Sequence, residues 1–511
     1  METLKQTPMV TVTLNGTAHP CPVGTSLGDL LQGHGHGNMP CGGHGKCGKC
    51  RVTVTGEVSP PTEDEKKALT AEDLAEGVRL ACRTTVLGDC TVTTTEQGRG
   101  QILTEGAFPA SMSTVAPSPS WNGYGVAIDI GTTTLAARLY DPAGNLLAQT
   151  SRLNPQSAWG ADVISRMEAA MAGNASKMAQ ITRRALNGML TELGDAAHVE
   201  TADMLSVVIT GNTVMLHLLT ETDVEPLTHA PFAAKRLFGE TLPAAALELT
   251  ALAENTPVYL PPCIAAFVGA DTVTATLASD MREIPETSLL CDIGTNGEMV
   301  LWHKSTLYAC STAAGPAFEG AGISMGMGGR TGAVDRVWVT DGEICAHVIG
   351  DATPVGICGS GLVDAVAALL DTENLDETGF LEDDPAEIAS PVEITQEDIR
   401  AVQLAKSAIH AGMRTLIDTA SLTCDQVDTL YIAGGFGSYL DVQNAGKIGL
   451  LPEELTNRVT VLGNAALTGA AMLLLRDDLR ASCETMARET RIVELATNPV
   501  FVNEYMERMM F

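Results

Sequence analysis

The stretch YGVAIDIGTTTLAARLYD, Tyr124–Asp141, runs from an apolar segment into Asp129, then Gly131, Thr132, Thr133 and Thr134, then a second apolar segment. Two β-rich runs around a glycine and small hydroxyl residues predict a tight hairpin whose tip exposes backbone N–H groups and hydroxyls. Phosphate oxygens accept hydrogen bonds from both, and glycine lets them approach closely. Asp129, at the strand end, is placed to hold Mg²⁺ through water. The pattern returns in SLLCDIGTNGEMVLW, Ser288–Trp302, with Asp292, Gly294, Thr295 and Asn296, 163 residues after Asp129. That interval fits two related half-domains, and two such loops can clamp one polyphosphate from opposite sides. A third element, LYIAGGFGSYLD, sends an apolar strand into Gly434 and Gly435, where a nucleoside can lie flat against the backbone. Unrelated glycine-rich hairpins are the competing reading. ITGNTVMLHLL, with Gly211 and Asn212, and AAGPAFEGAG are further turns leading into helices, a second rank of phosphate contacts. His217 reads as a packed helix residue; Asp271 is the nearest candidate for a second catalytic base, with an ordinary helix cap the favoured reading.

At 511 residues the chain is expected to form two to four domains. Acidic residues outnumber basic ones 62 to 31, a net charge of −31, a sign that disfavours nucleic acid and anionic membrane as partners. No secretory leader or run of about 18 apolar residues is visible, so a cytoplasmic location is expected. Residues 1–95 carry eight Lys/Arg and ten Asp/Glu, so nearly all of the negative charge falls on the remainder. The Gly-, Pro- and Ser-rich segment 96–122 reads as a flexible linker between a domain 1–95 and a domain 123–511. Residues 371–398 hold eleven acids and no base and read as a solvated excursion.

The first domain opens with PMVTVTLNGTAHPCP, strands around an Asn-Gly turn, and TSLGDLLQGHG, a short helix. PCGGHGKCGKCRV then places Cys41, Cys47 and Cys50 at Cys-x5-Cys-x2-Cys, and Cys82 follows in RLACRT. Zinc sites usually pair two Cys-x2-Cys arms, and only one is present. Reduced intracellular cysteines disfavour a disulfide framework. A [2Fe–2S] cluster takes four thiolates, three from one loop and one from a distant strand. Gly42, Gly43, Gly45 and Gly48 permit positive φ and turn N–H groups toward sulfur. A structural zinc knuckle is the competing reading. Cys21 and Cys90 read as small buried side chains.

This stretch resembles the [2Fe–2S] ferredoxin domain of α+β β-grasp fold, with five residues rather than the plant-type four between the first two cysteines. The three glycine elements resemble the phosphate and adenosine loops of the α/β acetate and sugar kinase/Hsc70/actin (ASKHA) superfamily, an RNase H-like duplicated fold. Together they resemble the reductive activators of corrinoid-dependent methyltransferases. That resemblance implies one [2Fe–2S] cluster, ATP with Mg²⁺, an upstream low-potential electron donor, and a corrinoid protein whose cobalt is returned from Co(II) to Co(I); a homodimer is left open. The alternatives are an ATP-driven activator of another low-potential enzyme, of the 2-hydroxyacyl-CoA dehydratase type, and a redox-sensing ASKHA kinase.

Overall fold

The computed structural model describes residues 8–33, 39, 43, 45, 48–94, 106–114 and 117–511. Internal contacts divide the chain into two compact units, Met1–Gln97 with Leu153–Ala185, and Gly98–Arg152 with Leu186–Phe511.

In the first unit five strands lie in the order Thr17–Pro22, Met9–Leu14, Val86–Thr94, Arg51–Val58, Val78–Leu80. The opening hairpin pairs Leu14 with Thr17 across Asn15-Gly16, both at positive φ (48° and 87°), as a two-residue turn matched to strand twist requires. Met9–Leu14 runs parallel to Val86–Thr94, whereas Arg51–Val58 is antiparallel to both of its neighbours. The helix Leu27–Gly33 packs Leu27 and Leu31 against Val12, Val52, Leu80, Val86 and Val92. This is the β-grasp arrangement. Cys21 and Cys90 are buried in that core.

Glu65 is fully buried in this unit. It closes the capping box of the helix Glu63–Ala68 with Thr62. It also accepts from Arg79 Nε at 2.9 Å, Arg79 Nη2 at 3.0 Å and the Leu80 N–H at 3.1 Å. Burial pushes its pKa up, but the Arg79 guanidinium and the N–H groups of Thr62 and Leu80 outweigh that, and the carboxyl sits below its usual value. A folded pKa below the unfolded one stabilises the fold above about pH 4.5, and the contribution is lost as pH falls through the folded value. Glu65→Ala leaves Arg79 buried and uncompensated. It is expected to cost this unit about 3–5 kcal/mol, read as a lowered first transition in thermal unfolding; an unchanged transition would show that the pair does not hold the Val78–Leu80 strand in place.

The second unit contains two six-stranded sheets built alike. In one, the hairpin Tyr124–Ile130/Thr134–Tyr140 is followed by Leu146–Leu153, and Met204–Gly211 pairs parallel to Tyr124–Ile130. In the other, Ser288–Ile293/Gly297–His303 is followed by Thr306–Thr312, and Thr429–Ala433 pairs parallel to Ser288–Ile293. The repeated sequence is therefore a repeated lobe. Two helices, Ala270–Ala278 and Ala465–Leu475, pack against each other in a core shared by both sheets. All eleven residues of Ala465–Leu475 are buried. Among the described residues no helix is long and apolar enough to cross a membrane.

Two expectations change. The described part of the span 96–122 is docked on the second unit by fixed hydrogen bonds. Ser111 donates its N–H and hydroxyl to Asp280 (2.9 and 2.6 Å), Ser118 N–H donates to Leu475 O (3.0 Å), and buried Trp121 donates Nε1–H to Leu474 O (3.2 Å). Serine and proline composition suggested solvation, but Met112 and Trp121 supply apolar anchors and the hydroxyls find fixed acceptors. The acidic stretch 371–398 is exposed only in part: Leu375, Leu381, Ile388, Val392 and Ile394 join a core cluster. Asp398 is 2% exposed, closes the capping box of the helix Gln396–Thr419 with Thr395 and accepts from Ser324. Apolar residues spaced among the acids turn that segment back onto the lobe.

Candidate functional site

In the first unit, Cys50 is buried and Cys82 half-buried. Cys50 immediately precedes the Arg51–Val58 strand and Cys82 lies in the one-turn helix Ala81–Arg83, and the Ala81 N–H to Cys50 O bond (2.9 Å) ties the two together. Their sulfurs lie 3.3 Å apart, and neither is in a disulfide. The Cys50 thiol lowers the Cys82 pKa to about 7; burial opposes, and the Gly45 N–H and Arg83 assist. Gly43, Gly45 and Gly48 all have positive φ (81°, 73° and 64°). A close thiol pair, one of them acidified by its neighbour and by a backbone N–H, suits thiolate ligation of iron. Cys41, Cys47, Gly42 and Lys46 lie outside the described residues.

In the second unit the strand ends place the glycine loops together. Asp129 pairs with Thr210 and Ile130 with Gly211, while Asp292 pairs with Ala433, directly before Gly434. The hairpin tips are closed by Gly131 N–H to Thr134 O (2.9 Å) and Gly294 N–H to Asn296 O (3.0 Å). The two tips meet, with Thr133 Oγ1 and Thr295 Oγ1 3.4 Å apart. Asn212 caps the helix Thr213–Leu219 and donates Nδ2–H to Thr132 Oγ1 at 3.0 Å. Gly434 has φ +95°, and a Cβ there would stand 2.7 Å from both Asp292 Oδ1 and Ile293 O, so only glycine lets this loop lie against the carboxylate. Gly435 faces open space. His217 is fully buried on Thr213 O and the Phe238 ring, a packing residue as expected.

The structure also brings in residues that sequence reasoning ranked low or left out. Asp271, expected to be a helix cap, is not the N-cap of Ala270–Ala278; that position is Gly269. Its charge reaches Asp129, Asp292 and Glu298. Asn464 caps Ala465–Leu475 and donates Nδ2–H to Asp129 Oδ2 at 3.2 Å. Its signal was legible: VLGNAALTG repeats the Gly-Asn-helix order of ITGNTVMLHLL. Glu319 accepts from both loop threonines, Thr133 and Thr295.

Burial, then Asp271, pushes Asp129 and Asp292 up to about 7, with Asn464 opposing at Asp129. Burial raises Asp271 itself to about 6. Several carboxylates held together in a low dielectric favour protons or a divalent cation. Hydroxyls and N–H groups stand beside them for anionic oxygens. The arrangement can hold a metal–polyphosphate pair.

Known proteins resemble this chain along most of its length. A family model described as a 2Fe-2S iron-sulfur cluster binding domain matches residues 12–87. The RACo middle region matches 124–284, and the C-terminal domain of RACo, the ASKHA domain, matches 286–511. The corrinoid activation enzyme RamQ of Eubacterium limosum is 38% identical over 420 residues, 76% of this chain and 70% of that protein. The [Co(II) methylated amine-specific corrinoid protein] reductase of Methanosarcina barkeri is 26% identical over 416 residues, 75% of this chain and 76% of that one. Among solved structures, a reductive activator for corrinoid, iron-sulfur protein superposes with a TM-score of 0.70 at 27% identity, covering 98% of each chain.

Proposed function

The chain belongs to the family of corrinoid-activating enzymes that carry a [2Fe–2S] domain and an ASKHA domain, and from that premise we propose that it spends ATP to reduce the cobalt of a partner corrinoid protein from Co(II) to Co(I). The observation that carries this reading is one chain holding both a close cysteine pair with an acidified Cys82 thiol and a two-loop carboxylate–threonine clamp.

When bound, a [2Fe–2S] cluster of plant type supplies single electrons near about −400 mV. One electron leaves an upstream low-potential donor and one arrives at Co(II), giving Co(I). An acceptor about 150 mV lower would be reduced only to about one part in a few hundred, since each 59 mV is tenfold. Nucleotide binding and hydrolysis can favour a state of the partner that accepts the electron. Cys41, Cys47, Cys50 and Cys82 would hold the cluster. Thr132, Thr133, Thr134, Gly131, Gly294, Thr295 and Asn296 hold the phosphates, with Gly211 and Asn212 behind the first loop. Gly434 and Gly435 face the nucleoside. Asp129, Asp292 and Asp271 would hold Mg²⁺, which supplies positive charge at the phosphates. Residues 1–95 form the electron-carrying domain and 123–511 the nucleotide domain, to which the docked segment from Gly106 is added.

The deciding experiment mixes the full chain, a strong chemical reductant and a Co(II) corrinoid protein. Co(I) absorbance should accumulate with Mg-ATP and remain at the equilibrium trace without it. Equal yields in both would end the ATP-coupled reading.

The carboxylate cluster also makes a stability prediction. Asp129 and Asp292 keep protons to about pH 7 when folded, whereas the unfolded chain loses them near 3.8. The folded state therefore binds more protons across that window, and stability contributed by the cluster falls as pH rises from about 4 to 7. Mg²⁺ should restore it. At pH 7.5 the melting temperature in Mg²⁺ should exceed that in chelator by about 3 °C or more, and the gap should shrink at pH 5. A gap independent of pH would mean that Mg²⁺ binds elsewhere.

A further inference from the structure

No step of the proposed reaction uses Glu319, yet it sits at the centre of the clamp. It ends the one-turn helix Ala317–Glu319. Its Oε2 accepts from Thr133 Oγ1 at 2.9 Å and from the Thr295 hydroxyl, one from each lobe. Those are the hydroxyls suited to a phosphate oxygen, and a carboxylate oxygen satisfies them in the same way. Two anions cannot share these donors without strong repulsion. The nucleoside loop, Gly434–Gly435, belongs to the second lobe. The phosphate that reaches Thr133 of the first lobe is therefore the one farthest from the nucleoside.

Resting on the nucleotide reading above, we infer that Glu319 is a specificity-determining residue: its carboxylate stands in the place of the terminal phosphate and must leave when a triphosphate binds, but not when a diphosphate binds. Gly315, Gly320 and Gly322 flank the turn at φ +83°, +79° and +82°, and Gly315 and Gly322 have open space around them. The neighbouring Phe318 stacks on Phe436 with ring centroids 5.0 Å apart, and Phe436 follows the Gly434–Gly435 loop. Displacing Glu319 thus moves a residue that leans on the nucleoside loop, which gives the chain a way to register triphosphate against diphosphate.

The test is calorimetric titration of the full chain with Mg-ATP and with Mg-ADP, for wild type, Glu319→Gln and Glu319→Ala. Removing the charge should tighten ATP by about tenfold or more and leave ADP within about twofold, since only the terminal phosphate meets the carboxylate. The ATP:ADP affinity ratio is the informative quantity, because damage to the fold would weaken both nucleotides together. An unchanged ratio, or ATP bound more weakly by Glu319→Gln, would overturn the inference. If wild type bound no ATP while Glu319→Gln did, the inference would stand in its strongest form. If wild type and both variants bound neither nucleotide, the nucleotide reading itself would fall and this inference with it; if they bound both with one common ratio, only the inference would fall.

Discussion

Asp292→Asn in the full chain is expected to keep its iron–sulfur absorbance and to lose ATP-driven Co(I) formation by about 100-fold or more, the scale of removing one preorganised charge from a phosphoryl-transfer site. Asp292 stands at the strand end beside Thr295, with Gly434 lying against its carboxylate. Burial, Asp271 and Glu319 all disfavour its charge. A cation is the natural compensator, and asparagine cannot supply the charge that attracts one. The cysteine pair belongs to the other unit, so a strong reductant should still load the variant with an electron. The measurement is the Co(II)-to-Co(I) absorbance change with Mg-ATP, alongside phosphate release. Wild-type Co(I) yield from the variant would show that hydrolysis does not drive the transfer.

Cys82→Ala should have the opposite pattern. Iron should fall from about two per chain, as a single [2Fe–2S] cluster requires, to near none, and the EPR signal of the reduced protein should vanish. Cys82 lies 3.3 Å from Cys50, whose thiol lowers the Cys82 pKa to about 7, so its loss removes both a ligand and the hydrogen-bond partner of Cys50. Mg-ATP binding should persist, because the clamp lies in the second unit. Four irons per wild-type chain, or an unchanged EPR signal in the variant, would refute the single-cluster assignment. Taken together the two variants separate electron loading from its drive: each should abolish Co(I) formation while sparing the other's half-reaction.

Much of this protein was legible in its sequence, for a physical reason. Hairpin turns and tight loops are local: Asn15-Gly16 demands positive φ, and Asp-Gly-Thr at a strand end demands a bare, donor-rich tip. Cysteine spacing is local too. The duplicated lobe could be read because Tyr124–Asp141 and Ser288–Trp302 each encode a complete strand–turn–strand unit. What the sequence did not settle depends on residues far apart in the chain. Thr133, Thr295 and Glu319 meet only where the two lobes pack together, and no spacing rule announces that a glutamate in a glycine-rich turn will receive hydroxyls from both. Asp271 looked like a helix cap because caps are common. Its place among Asp129, Asp292 and Glu298 follows from the packing of Ala270–Ala278 against the fully buried Ala465–Leu475. The segment after residue 106 looked like a linker because its composition is that of one. Tertiary contacts decide otherwise, since Trp121 and Ser111 find a carbonyl and a carboxylate 353 and 169 residues away. Local backbone chemistry was therefore readable from the chain alone, whereas charge clustering and docking required the fold, because desolvation and Coulomb terms depend on distance in space and not on order in sequence.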